Sequence, residues 1–413
     1  MLLNRPVALL VALTCVGTGM SPVMGAEQDP ISVKDISVRP MGNFNAVDGT
    51  VVLHPKVLLG VGFNDNIFAT ETNEKDDFYG RGLAGLTADW RLNPHNSLTF
   101  NGEFEGLNYS KSENEKGNMV GGLADLDYKW REAKNEGVLH GGYSRFDDPL
   151  IETGQQILRE NMVGSGALTM QGAEMRTVAN ASITAINYLE DGNGFTSDSR
   201  DNTVYSAFGR VGTTTARDTY YYGLVGVDRV DYWETTQFNN SWGMTAGVGS
   251  QVRLGDRSSL TAEGGVTYRV YDDNFNKNAA YDDKTVIAPY INILAKWPWE
   301  SGSHVGLNIF SRIDESLTAN AAWASGGGID GRYRLLARSA LFGSVSYYHS
   351  EDSGMGQGGT VENRDSVDIV GGVEHEMCKG VVGRLKAVYT DSDSETSNSF
   401  TRLVVAADLA IGF

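Results

Sequence analysis

The sequence predicts an all-β protein, a transmembrane antiparallel up-and-down β-barrel of about 18 strands with short periplasmic turns and longer extracellular loops. Three observations predict this fold. Apolar and polar residues alternate through most of the chain, turn-forming clusters recur about every 40 residues, and a signal-peptide pattern comes first. The predicted number of strands ranges from about 16 to 20.

The composition favours strands and turns over helices. The 413 residues include 50 Gly, 18 Tyr, 15 Phe and 7 Trp, but only 9 Pro and 2 Cys. The net charge of −18 argues against nucleic acid as a partner, because nucleic-acid binding requires a basic surface. The mean hydropathy of −0.27 is compatible with a membrane barrel, in which only alternate residues contact lipid.

The first residues have the pattern of a secretory signal peptide. A short basic segment, Met1–Arg5, precedes the apolar segment Val7–Val16, and small residues follow at Gly25 and Ala26. We therefore divide the chain into a signal peptide (1–26), an irregular periplasmic segment (27–50) and a barrel (51–413). The mature chain has no apolar stretch near the ~18 residues of a transmembrane helix, so membrane insertion requires a barrel.

Short turn clusters divide the barrel region into hairpins. They lie at 93–96, 133–135, 172–174, 216–218, 256–258, 299–302, 337–338 and 379–380. Longer and more polar segments alternate with them, at 69–77, 112–118, 147–157, 191–199, 234–239, 274–282, 315–320, 352–362 and 391–396. Eight turns and nine loops predict about 18 strands and place both ends of the barrel in the periplasm.

The period within the segments is two residues, as expected for strands with one apolar face. Residues 260–271 alternate between apolar residues such as Leu260 and Val266 and polar residues such as Glu263 and Arg269. The last strand ends in Leu409, Ile411 and Phe413 on one face. This ending resembles the signal by which the outer-membrane assembly machinery recognises barrels, so we assign these three residues as an assembly signal.

Aromatic residues concentrate near the predicted strand ends. Such rings are expected in the two interfacial girdles of a membrane barrel, although ordinary β-propensity also enriches strands in aromatic residues. The residues concerned are Trp90, Tyr128, Trp130, Tyr220, Tyr221, Tyr222, Tyr232, Trp233, Trp297, Trp299, Tyr347 and Tyr348.

The alternation also predicts which charged side chains line the lumen. Arg or Lys facing lipid near the midplane would cost about 2 to 4 kcal/mol each, so charged residues are assigned to the inner face. They are Arg81, Asp89, Arg91, Glu103, Glu105, Asp125, Asp127, Lys129, Arg131, Arg210, Glu263, Arg269, Arg312, Asp314, Arg384, Lys386, Arg402 and Asp408. Two roles remain open for each of them, a contact with a passing solute and an ion pair that stabilises the wall.

No constellation of residues predicts catalysis. The six histidines are scattered and show no metal-ligand spacing, and no nucleophile motif is present. We therefore predict no enzyme activity, no catalytic residue, no metal site and no cofactor. The expected partners are outer-membrane lipid and lipopolysaccharide, with acidic loop clusters such as Glu74–Asp77 as candidate ligands for bridging cations.

The opening strand carries a family resemblance. Residues 57–70, with the sequence VLLGVGFNDNIFAT, resemble the start of the putative β-barrel porin type 2 family, and the similarity extends loosely to Phe413. The resemblance implies an outer-membrane barrel associated with exopolysaccharide synthesis, and a polysaccharide secretion system as a further partner. Our first hypothesis is therefore a channel for export of an exopolysaccharide. The alternatives are a general diffusion porin for small solutes and a closed structural barrel.

Overall fold

The structure is a computed structural model. It describes residue 41 and residues 44–46, 50–72, 74–111, 118–149, 156–189, 197–215, 219–234, 238–255, 257–272, 284–299, 302–314, 316, 319–353, 361–395 and 399–413, with the backbone alone for 146–149, 156–157 and 197–198. The predicted signal peptide lies outside the described residues. The division of the chain at residues 26 and 50 stays a prediction.

The described part of the chain is almost entirely β-structure. A single helical turn, α1 (Ser197–Arg200), interrupts it. The strands are β1 (Phe44–Ala46), β2 (Val51–Asn64), β3 (Asp77–Asn93), β4 (Asn96–Tyr109), β5 (Met119–Glu132), β6 (Asn135–Pro149), β7 (Gln156–Gln171), β8 (Met175–Tyr188), β9 (Asn202–Thr214), β10 (Tyr220–Tyr232), β11 (Ser241–Leu254), β12 (Ser258–Tyr271), β13 (Thr285–Pro298), β14 (His304–Asp314), β15 (Ala322–Leu336), β16 (Ser339–Asp352), β17 (Asn363–Cys378), β18 (Val381–Ser394) and β19 (Phe400–Gly412).

Strands β2 to β19 form a closed barrel of 18 antiparallel strands. Each pairs with its neighbours in sequence, and β19 pairs with β2 to close the cylinder, from Val404 opposite Asn64 to Gly412 opposite Lys56. The short strand β1 pairs with Val51–Leu53 of β2, beyond the point where β19 ends. The fold class and the strand count predicted from the sequence are both confirmed.

The two ends of the barrel differ in the length of their connections. Eight short turns join the strands at one end, and each falls where the sequence predicts a turn. We call this the turn end and the opposite end the loop end. β6, which runs to Pro149, and β18, which runs to Ser394, extend furthest into the segments predicted as loops. The inter-strand pairing continues there through polar residues, as at Asp391 opposite Thr401, so loss of apolar alternation does not mark the end of a strand.

The alternation of the sequence matches the two faces of the wall. In β19, Arg402, Val404 and Asp408 are buried, whereas Leu403 and Val405 between them are exposed. Large apolar side chains are exposed on the outer face throughout, and Val248, at 69% exposure, and Ile287, at 68%, are prominent examples. An exposed apolar exterior around a closed cylinder is the surface that a lipid bilayer requires.

Candidate functional site: the barrel interior

The strand periodicity places the eighteen predicted lumen residues on the inner face. Their exposure falls into two groups. Fourteen are buried or partly buried, and nine of these are buried: Arg81, Glu105, Glu263, Arg269, Asp314, Arg384, Lys386, Arg402 and Asp408. Those near the turn end, Asp89, Arg91, Lys129 and Arg131, are exposed. The exposed members of the set therefore all lie toward the turn end.

One group of charged residues spans the junction between the first and last barrel strands. Arg81 of β3 donates through Nε and Nη2 to Oδ1 of Asp408 of β19, at 2.9 and 2.6 Å. Arg384 of β18 donates through Nε to the other oxygen of Asp408, at 3.4 Å. We call Arg81, Arg384 and Asp408 the seam cluster. Their side chains are at most 2% exposed, so the carboxylate offsets the desolvation of two guanidinium groups.

The seam cluster depends on a glycine in the intervening strand. β2 lies between β19 and β3, and Gly60 stands opposite both Asp408 and Arg81. A Cβ atom at Gly60 would lie 2.3 Å from Oδ1 of Asp408 and 2.9 Å from Nε of Arg81. The Arg81 side chain can cross β2 only because residue 60 has no side chain.

A second group surrounds Glu263 on the opposite wall. Its Oε1 accepts hydrogen bonds from Arg210 Nε and the Tyr222 hydroxyl, both at 2.7 Å. Its Oε2 accepts from the Tyr290 hydroxyl at 2.8 Å and from Asn292 at 2.9 Å. We call these five residues the Glu263 cluster. Arg210 also lies over the ring of Phe208, with 4.6 Å to the centroid, so its charge is held by an acid and by aromatic faces.

Further charged side chains of the inner face form pairs of opposite sign. Arg269 donates to Asp228, Arg312 to Asp314 at 2.7 Å, and Lys56 to Glu103 at 2.6 Å. Arg332 pairs with Glu374, and His140 Nδ1 lies 2.8 Å from Asp127. The inner wall is therefore polar and its charges are distributed among many small groups, which do not converge on one site.

Several interior residues were missed by the sequence analysis. Tyr220, Tyr222, Tyr232 and Tyr348 were assigned to the interfacial girdles, but all four are buried on the inner face. Their neighbours Tyr221 and Tyr347 are exposed and do face outward. The strand period assigns these faces correctly, whereas clustering near strand ends does not distinguish a ring in lipid from one in the lumen.

Three connecting segments fold inward at the loop end. After β2, Ile67 is fully buried among Tyr79, Leu107, Val388 and Val404, which are inward residues of four strands. After β10, Phe238 stacks on Tyr232 with 5.2 Å between ring centroids, and Ala319–Ala321 before β15 is buried as well. We call residues 65–70, 238–240 and 319–321 the inward segments. They occupy space inside the barrel near the loop end.

Hydrogen bonds hold the first inward segment in place. The side chain of Asn66 donates to the carbonyl oxygens of Thr70 and Thr401, both at 2.8 Å, and its Oδ1 accepts from the Thr70 amide at 3.0 Å. Asn64 Oδ1 accepts from the Asn66 amide at 3.1 Å. Asn239 and Asn320 join the other two inward segments through a 2.8 Å hydrogen bond. These contacts fix the first inward segment to the wall and the other two to each other.

The described residues contain neither a metal centre nor a membrane-spanning helix. No group of three or more His, Cys, Asp or Glu side chains in these residues is arranged to hold a metal ion. None of the helical structure in this part of the chain is long and apolar enough to cross a bilayer.

The chain was compared with known proteins and structures. It is similar to OpdK of Pseudomonas aeruginosa, with 11% identity over 87% of this chain and 99% of that chain and a TM-score of 0.48. It is similar to OccAB4 of Acinetobacter baumannii, with 13% identity over 87% and 98% of the two chains and a TM-score of 0.48. No curated protein sequence matches it. The family model described as putative beta-barrel porin 2 matches residues 40–411, and the chain therefore belongs to the putative beta-barrel porin 2 family.

Proposed function

We propose that the protein is a diffusion channel for small polar solutes in the bacterial outer membrane, with the turn end facing the periplasm. The observation that carries this proposal is the composition of the inner face. An 18-stranded barrel with an apolar exterior encloses a wall of paired charges and hydroxyl groups, which suits hydrated solutes. Membership of a porin family supports the same function.

The inward segments favour small solutes over a polymer. Ile67, Phe238 and Ala321 are buried inside the wall at the loop end, where a polysaccharide chain would have to pass. Export of an exopolysaccharide, the first hypothesis from the sequence, gains no support from this geometry. The general diffusion porin, which was the alternative, agrees better with a barrel whose inward segments occupy part of the lumen near the loop end.

The test is permeation by the purified protein. Single-channel conductance in planar bilayers measures whether the lumen is open, and swelling of proteoliposomes in mono-, di- and tetrasaccharides measures its size limit. We expect conductance, together with swelling rates that fall as the sugar grows. Absence of both would favour the closed structural barrel. Loss of secreted polysaccharide on deletion of the gene, together with permeation that is insensitive to size, would favour polymer export.

A further inference from the structure

The inner face is mostly basic at the turn end. Within three residues of the strand ends there, seven described basic side chains lie on the inward face without being buried. They are Arg91, Lys129, Arg131, Arg176, Arg253, Lys296 and Arg334, and we call them the basic rim. Two acidic side chains, Glu136 and Glu376, meet the same criteria, and the exposed Asp89 lies one residue beyond this limit in β3. The basic rim draws on six strands from β3 to β15, so it follows a large part of the mouth.

Part of this positive charge is not neutralised by acidic neighbours. Lys129 lies 3.8 Å from Asp127. Arg131 pairs with Glu136 at 2.8 Å, but Arg91 and Lys296 are exposed and take part in no ion pair with the described residues. Arg176 lies over the ring of Tyr220, 5.1 Å from the centroid, and donates at 3.4 Å to the neutral side chain of Gln251. These cations keep their charge available to the lumen.

The loop end has the opposite character. The chain as a whole carries −18, and exposed acidic residues lie at or beyond the loop ends of the strands. Asp76, Glu351, Asp391, Asp393 and Glu395 are examples. The net charge of the chain therefore does not describe the inner face of the mouth at the turn end, where basic side chains outnumber acidic ones.

A ring of like charges in a confined mouth has a stronger effect than the same charges on a flat surface. Low-dielectric walls focus the field into the aqueous opening and concentrate counter-ions there, and rings of Arg and Lys select anions in pores. At about 0.1 M salt the screening length is about 10 Å, so the acidic residues at the far end contribute little to the potential at this mouth.

We propose that the basic rim is an anion filter, which concentrates small anionic solutes at the turn-end mouth and makes the channel prefer anions although the chain is acidic. The inference rests on the proposed channel function and deepens it by naming the solute class. The expected solute is a small anion, either a carboxylate or an inorganic ion.

The test is the reversal potential of the wild-type channel across a KCl gradient in a planar bilayer. We expect a potential of the sign given by chloride preference, decreasing as the mean salt concentration rises. Repeating the measurement with potassium succinate and potassium phosphate distinguishes carboxylates from inorganic anions. Preference for any of the three anions over potassium supports the filter, and preference for potassium in all three salts overturns it.

A matched pair of variants locates the filter. Arg91→Glu with Lys296→Glu reverses two charges of the basic rim and should shift selectivity toward potassium. Lys134→Glu with Lys379→Glu makes the same change in net charge on exposed turn residues and should leave selectivity unchanged. Equal shifts in both variants would overturn the assignment. Arg91→Gln with Lys296→Gln removes the two charges without reversing them and should give a smaller shift in selectivity. This variant replaces the first one if charge reversal impairs folding.

The outcomes distinguish this inference from the function on which it rests. A barrel that folds but conducts no ions contradicts both. A barrel that conducts without preferring anions leaves the channel function standing and overturns the filter alone.

Discussion

At Gly60, a hydrogen atom is the only side chain that fits between Asp408 and Arg81. We predict that Gly60→Ala destabilises the barrel, because its Cβ would lie 2.3 Å from Asp408 Oδ1 and would separate the seam cluster. Separating a buried ion pair costs about 3 to 5 kcal/mol when one charge is left without its partner. The free energy of unfolding in lipid vesicles, from urea titration, measures the loss.

Gly80→Ala is the matched control for that substitution. Gly80 lies on the outward face of the neighbouring strand β3, and a Cβ there would meet no atom within 4 Å. Both substitutions change glycine to alanine in an extended strand, so backbone entropy affects them similarly. If the two variants lose equal stability, the seam cluster does not require a glycine at position 60.

The sequence could predict the face of a charged residue but not its partner. Asp408 lies between Ala407 and Leu409, and Arg81 lies in a strand that alternates in the same way, so both were assigned to the lumen. Their pairing joins residues that are 327 positions apart in the chain, and it depends on the register with which β19 closes on β2. Register between the first and last strands leaves no local pattern in the sequence. The sequence predicted only part of the Glu263 cluster, because Tyr222 was assigned to an interfacial girdle instead of the lumen.

At the scale of elements, the segment 65–70 controls how much of the lumen is open near the loop end. We predict that Ile67→Ala raises single-channel conductance, because the side chain fills space among inward residues of several strands. Truncation of a buried isoleucine also costs about 2 to 5 kcal/mol, which should loosen this segment. Planar-bilayer recordings measure the conductance.

Ile287→Ala removes the same atoms from the outer face, where Ile287 is 68% exposed. This control should leave conductance unchanged. An unchanged conductance in Ile67→Ala as well would mean that the first inward segment does not limit the passage of ions.

The sequence does contain one indication of this inward segment. Ile67–Phe68 is an apolar pair at the point where the strand passes into its loop.

The last strand tests the predicted assembly signal. Phe413 is 37% exposed, and its backbone amide donates to the carbonyl oxygen of Pro55 at 2.9 Å. Phe413→Ser keeps that backbone hydrogen bond, so we expect the urea-denatured variant to refold into lipid vesicles nearly as well as the wild type. Its assembly in cells should fall, if the terminal aromatic residue is recognised during insertion. Heat-modifiable gel mobility measures the folded fraction in both settings.

Phe104→Ser, on the outer face of β4, removes a similar exposed ring far from the C-terminus. It should reduce assembly in cells less than Phe413→Ser does. Equal loss in the two variants, or an equal defect of Phe413→Ser in vesicles and in cells, would mean that Phe413 contributes only apolar surface.

The hairpin pattern could be predicted well because its information is local. Each short turn is marked by residues such as those at 93–96, and each strand by its own two-residue period, so the count of 18 needs no knowledge of distant contacts. The inward segments could not be predicted in the same way. Their composition is that of ordinary loops. Whether such a loop folds into the barrel depends on the space left inside the complete wall.

For the whole molecule, the apolar exterior predicts a dependence on membrane depth. Val248 lies in the middle of β11 and is 69% exposed, whereas Leu254 ends the same strand at the turn end and is 44% exposed. Both face outward. Val248→Arg should cost about 2 to 4 kcal/mol of unfolding free energy in lipid vesicles, and Leu254→Arg about 0 to 1 kcal/mol, because arginine near the interface reaches water. Equal costs at the two positions would mean that the exposed apolar band does not contact the hydrocarbon core, and the barrel would then lack the environment that its closed hydrogen bonding implies.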